Sequence, residues 1–172
     1  PCGYRSVLTS QLAETYYNLE GLSNKIISKD QEYIRPKEVD LLALLESNTI
    51  DYLFLYRSVA QQHGLEYVIL PDSINLKNPE LKDFYKTASV DIVGKEPGTS
   101  ITKIGQPMVY GITILDNAPN KELALKFVDF ILSKDGGSKI METNGQPSMV
   151  PTYSESFDFI PEQLKQYATA IK

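Results

Sequence analysis

The chain has 172 residues, 42% of them hydrophobic and 23% charged, with 17 Lys+Arg against 22 Asp+Glu for a formal net charge of −5 at pH 7. That length suffices for one buried core, a domain and part of another at most. The acidic balance excludes nucleic acid as a partner, because a phosphate backbone calls for a basic face, and the apolar runs are too short to cross a bilayer, so no transmembrane helix is expected.

One cysteine, Cys2, and one histidine, His63, cannot make an internal disulfide or a zinc site of sulfur and imidazole ligands. The chain opens on Pro1 with neither a basic nor an apolar leader region, and the expectation is a piece of a longer protein.

Along the chain, Val7, Leu8, Leu12, Ala13 and Tyr16 recur at the spacing of an amphipathic helix from Gly3 to Tyr17. A second short helical stretch, punctuated by Gly21 and Asn24, ends near Ser28, and Tyr33-Ile34 reads as a brief strand. Pro36 suits the first turn of a helix, whose buried face is Val39, Leu41, Leu42, Leu44 and Leu45 and which Ser47-Asn48 stops. Ile50 to Tyr56 is so apolar that it predicts a strand covered on both faces, as in a parallel sheet. Ser58 to Gln62 predicts one or two helical turns with Gly64 as C-cap, and Leu65 to Leu70 the next buried strand, ended by Pro71-Asp72.

Lys86 to Ile104, with a turn at Glu96-Pro97-Gly98, predicts a hairpin or a pair of extended arms, and Met108 to Leu115 another strand. Asn117-Ala118-Pro119-Asn120 is an N-cap region, after which Leu123, Ala124, Phe127, Val128, Ile131 and Leu132 trace the core face of a long helix ending at Asp135-Gly136-Gly137. A further helix from Ser138 to Thr143 closes at Asn144-Gly145. The Pro-punctuated remainder carries one short helix at Glu162 to Ala170. Helices alternating with apolar strands define the class as α/β.

The candidate chemistry lies at helix starts. A helix N-terminus has several N–H groups without intrahelical partners and the positive end of the macrodipole, so it holds an anion without any cationic side chain. Pro1-Cys2-Gly3 is one such place. Cys2 reads either as a nucleophile, which would need a base that His63 does not obviously supply, or as packing whose backbone N–H matters, with Gly3 permitting close approach of a ligand. Glu38 lies in the first turn of its helix, either as a ligand or as a favourable charge–dipole contact of about 0.3–1 kcal/mol. Tyr56 ends an apolar segment, where side chains of parallel sheets point at a ligand crevice, or else it is an aromatic with a wet hydroxyl. Arg35, Lys37 and Arg57 could steer an anion or be solvated surface charges. Glycine-rich phosphate loops and serine-hydrolase elbows are absent, since Asp135-Gly136-Gly137 is read at a helix C-terminus, the wrong end for a phosphate.

With Pro1-Cys2-Gly3-Tyr4-Arg5-Ser6, Glu38 to Glu46 leading into Ile50 to Ala60, Gln62-His63-Gly64, Leu70-Pro71, Gly105 to Thr113, Asn117 to Phe130 and Gly145-Gln146-Pro147, the chain resembles the tungstate/molybdate-binding proteins of ABC importers, the WtpA/ModA type of solute-binding protein. The resemblance runs from Pro1 to about Pro151 and covers the C-terminal portion of such a protein. It implies the periplasmic-binding-protein type II fold, in which an anion lies between two α/β lobes. Residues 1–106 would then be most of the second lobe, 107–150 a crossover strand and helices returning to the first lobe, and 151–172 a C-terminal tail.

The resemblance further implies a non-enzymatic, extracytoplasmic receptor, periplasmic or lipid-anchored, that hands tungstate or molybdate to permease subunits and needs no cofactor. Pro1, Cys2, Gly3, Glu38 and Tyr56 would bind the ligand. In archaeal-type members an aspartate before the Pro-Cys-Gly segment ligates the metal of the anion; Glu38 would match the second ligating carboxylate and Tyr56 the hydroxyl donor. Tungstate and molybdate are unprotonated dianions near neutral pH, so a carboxylate beside one repels it unless its oxygen bonds directly to the hard metal centre. A site of that kind suits W(VI) or Mo(VI) and not sulfate or phosphate. The competing expectations are a sulfate or phosphate receptor of the same fold, and a thiol-dependent enzyme or ligand-sensing regulatory domain.

Overall fold

A computed structural model describes residues 2–28, 33–35 and 37–170. The chain divides into two compact units, one of residues 1–56 and 68–109, the other of residues 57–67 and 110–172.

The first unit is built on helix α1 (Cys2–Tyr17), which buries Leu8, Thr9, Ser10, Leu12 and Ala13. Leu8 and Leu12, four residues apart, lie on one face of the helix and meet Ile74, Leu76, Tyr85 and Ala88 to form the core. Two polar devices hold α1 to its neighbours. The Ser10 and Ser23 hydroxyls pair at 3.0 Å in the interior, and the Glu14 carboxylate accepts from the Ser23 N–H at 2.7 Å, satisfying a free donor in the first turn of α2 (Leu22–Ser28). The Gln11 amide donates to the Ser89 carbonyl and accepts from the Ser89 N–H, both at 2.9 Å, standing in for a neighbouring strand.

Helix α3 (Glu38–Glu46) follows, and of its residues Leu42 alone is fully buried. Two short helices, α5 (Asp72–Asn75) and α6 (Lys82–Tyr85), with a 3-10 turn at Pro79–Leu81 between them, bring Tyr85 under α1. The Tyr85 hydroxyl donates to the Asp72 carbonyl and accepts from the Asn78 N–H, so its buried oxygen is fully used. Strands β1 (Ser89–Val93) and β2 (Ser100–Ile104) form a hairpin, the first of the two arrangements expected there, antiparallel and pairing Ser89 with Ile104 and Val93 with Ser100.

In the second unit α4 (Arg57–Gln62) ends near Gly64, whose φ of +64° fits the expected C-cap. Helix α7 (Lys121–Leu132) is followed by α8 (Gly137–Thr143). The tail forms a parallel pair, β3 (Thr152–Ser154) with β4 (Ala168–Ala170), separated by 3-10 turns at Phe157–Phe159 and Glu162–Tyr167.

Several expectations are corrected. Ile50 to Tyr56, Leu65 to Leu70, Met108 to Leu115 and Tyr33-Ile34 are not strands, and the parallel α/β sheet they implied is absent among the described residues, where the sheets are the two pairs just given. Nor is Ile50 to Tyr56 covered on both faces, since Tyr52 is 90% exposed; Val68 at 83% and Tyr110 at 89% tell the same of the other two segments. An apolar run records a preference for burial, but a strand exists through ladder bonds to a neighbour. In these segments no such neighbour is present among the described residues.

The core face predicted for α7 is realised at Val128, whereas Leu123 and Phe127 are exposed. The helix expected to end at Asp135-Gly136-Gly137 stops at Leu132. Gly136 instead caps α8 and Gly137 starts it, with no room for a Cβ at either. Glu162 to Ala170 is a 3-10 turn and a strand rather than one helix. Pro36 and its first-turn role lie outside the described residues.

Gly105 is where the hairpin closes on the core: its N–H donates to the Ala88 carbonyl at 2.8 Å, and a Cβ there would lie 2.0 Å from the Tyr85 carbonyl oxygen. Backbone cannot retreat as a side-chain tip can. Gly105→Ala is therefore expected to cost about 1–3 kcal/mol, read as a lowered urea midpoint at constant slope, while Gly3→Ala, whose Cβ meets nothing within 4 Å, leaves the midpoint unchanged or slightly raised.

Candidate functional site

Three segments of the first unit converge at one end of α1. The first is the initial turn of α1, with Cys2, Gly3, Tyr4 and Arg5. Its leading N–H groups have no intrahelical acceptor, and the macrodipole makes this end positive. The second is the end of the extended segment 51–56, and the third the start of α3, where Glu38 is the first helical residue after Lys37.

Two hydrogen bonds join α1 to the extended segment. The Cys2 thiol donates to the Phe54 carbonyl at 3.4 Å, and Arg5 Nη1 donates to the Tyr56 hydroxyl at 2.7 Å. The guanidinium also lies over two ring faces, 5.5 Å from the centroid of Tyr4 and 5.8 Å from that of Tyr56, within range of cation–π attraction. Segment 51–56 is thus pinned by side chains of α1 in place of strand neighbours. Glu38 enters electrostatically: burial pushes the Cys2 thiol above its ordinary pKa, and the Glu38 carboxylate adds to the rise, outweighing a hydrogen bond from Ser6 that acts in the other direction.

The charge states follow. Burial pushes the Tyr56 phenol up, partly offset by Arg5, so it is a protonated donor at neutral pH. Burial works against the Arg5 charge, but the hydrogen bond and charge interactions with Tyr56 and Tyr4 outweigh it and raise its pKa. Among the described residues no carboxylate comes within ion-pair distance of Arg5. On its other flank the side chain borders a concavity of about 270 Å³, whose lining includes Tyr4, Leu76, Lys103 and Gln106.

Of the residues singled out in the sequence, Cys2, Glu38 and Tyr56 come together here, with Gly3 exposed beside them and open space above its Cα; Pro1 lies outside the described residues. Arg57 is not part of the cluster. It stacks over Tyr67 in the second unit at 5.9 Å. Arg5 was legible only as part of a helix-starting segment, because its role depends on a phenol 51 positions away. Its spacing of three residues from Cys2, which places the two side chains on neighbouring positions of one helix face, was the one available signal. A raised thiol pKa is the opposite of what a cysteine nucleophile requires. No group of three or more His, Cys, Asp and Glu side chains among the described residues could hold a metal ion, and none of the helices described is long and apolar enough to cross a membrane.

The helix start, the Arg5 guanidinium and the Tyr56 hydroxyl gather hydrogen-bond donors at one place. The chain belongs to the family of bacterial extracellular solute-binding proteins, whose sequence profile it matches over residues 1–145. It is 49% identical to an uncharacterized solute-binding protein of Petrotoga mobilis, over 97% of this chain and 52% of that protein. To the molybdate/tungstate-binding proteins WtpA of Pyrococcus abyssi and Thermococcus kodakarensis it is 42% and 40% identical, over 96% of this chain and 52% and 50% of theirs. The chain thus spans about half the length of the curated relatives it matches.

Burial first and the Glu38 carboxylate second raise the Cys2 pKa, so Glu38→Gln should lower it and speed alkylation by iodoacetamide at pH 8, where the thiolate is the reacting form. In the unmutated protein the rate should stay below that of glutathione at the same pH and climb only under more alkaline conditions. Equal rates with and without the Glu38 carboxylate would show that it does not act on the thiol.

Proposed function

We propose that this chain forms the anion-contacting part of an extracytoplasmic receptor for tungstate or molybdate, which delivers the oxyanion to the permease subunits of an ABC importer and is anchored or free outside the membrane. The observation that carries the reading is the convergence of the α1 start, the Tyr56 hydroxyl and the Glu38 carboxylate in a chain about 40% identical to proteins named for binding these anions.

The N–H groups of Cys2 and Gly3 and the Tyr56 hydroxyl hold oxo atoms, as donors to an anion must. Glu38 bonds directly to the metal centre of the anion, because a carboxylate that did not would only repel a dianion. Pro1 completes the ligand-binding segment. In this reading the architecture is the two-lobed type II binding-protein fold, with residues 1–106 as most of the second lobe, 107–150 returning to the first and 151–172 as a tail. The exposed apolar residues of the extended segments and of α7 support it, being surface that a further part of a longer protein would cover.

Two substitutions in the intact protein test the assignment by calorimetry. Glu38→Gln is expected to weaken tungstate far more than sulfate, since sulfur accepts no fifth ligand; equal losses, or none, rule out direct ligation. Tyr56→Phe keeps the ring and removes a donor to a charged acceptor, at a cost of about 1.5–3 kcal/mol. Unchanged tungstate affinity would leave Tyr56 a packing residue.

A further inference from the structure

We propose that Arg5 is a positioning residue for the anion site: by occupying the acceptor side of the Tyr56 hydroxyl it turns the phenolic proton toward the oxyanion. The inference rests on the receptor reading above and adds to it a residue that touches no ligand atom.

The direction of the Arg5–Tyr56 bond is not in doubt chemically. A guanidinium has five N–H donors and no acceptor, so at 2.7 Å the tyrosine oxygen accepts. A phenol O–H prefers the plane of its ring, with two opposed orientations, and a donor on one side leaves the proton the other. The rotor is then fixed before any ligand arrives, and an oxo atom, which can only accept, meets a donor ready to be used. A water-exposed tyrosine without Arg5 would offer a lone pair to the anion part of the time, and ordering the rotor would subtract from binding.

Three further features support this role over a purely structural one. The guanidinium is held in place by two ring faces, Tyr4 and Tyr56, and it has no carboxylate partner among the described residues. A structural arginine at partial burial is ordinarily paired with an acid. Moreover, it stands on the same helix as the Cys2 and Gly3 amides, so the amide donors and the guanidinium that orients the hydroxyl share one rigid element. Arg5 is also a fixed point for the tip of segment 51–56, where no ladder holds the backbone.

The test is a double-mutant cycle on tungstate binding by the intact protein, with Arg5→Met and Tyr56→Phe, and Arg5→Gln as a second replacement should the methionine variant melt early. Arg5→Met is expected to weaken tungstate about 10-fold in the parent and less than about 3-fold once Tyr56 is phenylalanine, because the orientation it supplies then has no hydroxyl to act on. In the anion-free protein carrying 13Cζ-labelled tyrosine, the Tyr56 resonance should shift when Arg5 is replaced. Reciprocally, Tyr56→Phe should free the Arg5 guanidinium to rotate, a reading that does not depend on any Arg5 variant folding. Equal losses of affinity in both backgrounds would show Arg5 acting on the dianion as a charge and overturn the proposal, as would an unmoved Tyr56 resonance or a guanidinium equally free in parent and Tyr56→Phe. Failure of the receptor reading is distinct: the unmutated protein would then not bind tungstate at all.

Discussion

Helix α1 carries the centre of the first unit's core and the start of its candidate site on one rigid element, and the remaining geometry follows from where that helix is held. Leu8 and Leu12 are 1% and 0% exposed, which locks rotation and height of the helix against α5 and α6. Arg5 stands three residues before Leu8, Cys2 and Gly3 less than a turn before that. A hydrogen bond weakens beyond about 3.2 Å, so the 2.7 Å contact from Arg5 to Tyr56 tolerates little movement of the helix. Core packing and site geometry are therefore coupled, and changes around Tyr85 or Leu76 will be felt at the start of α1.

Electrostatically the cluster is arranged to donate. The thiol of Cys2 and the phenol of Tyr56 are both pushed up and protonated, the Arg5 guanidinium is charged, and the helix start adds partial positive charge. Such a set is suited to donate hydrogen bonds to a group that can only accept them. Glu38 is the exception in sign.

The second unit shows the same economy with a different outcome. Helix α7 has a strong apolar stripe, yet Val128 is buried while Leu123, Phe127 and Phe130 are exposed, and Asp129 is drawn instead into hydrogen bonds from Tyr167 at 2.8 Å and Gln166 at 3.5 Å. An amphipathic pattern states that a face seeks cover. It does not name what covers it.

That distinction divides what was legible from what was not. Helices were readable where caps and period are local: α1, α3, α4 and α8 lie within a residue or two of their expected bounds, and the β1–β2 hairpin follows from a turn of Pro97 and Gly98. Family membership was readable too, because it lies in short motifs spread along the chain. Strands were not: Ile50 to Tyr56, Leu65 to Leu70 and Met108 to Leu115 have strand composition, but ladders join residues distant in sequence, and the β3–β4 pair formed in a tail that looked irregular. At the site, composition and position pointed to Cys2, Gly3, Glu38 and Tyr56 individually. Their meeting, and the Arg5 guanidinium that joins α1 to Tyr56, were decided by tertiary structure, since a contact across 51 residues is set by the packing of Leu8 and Leu12 and by nothing in the local sequence of either partner.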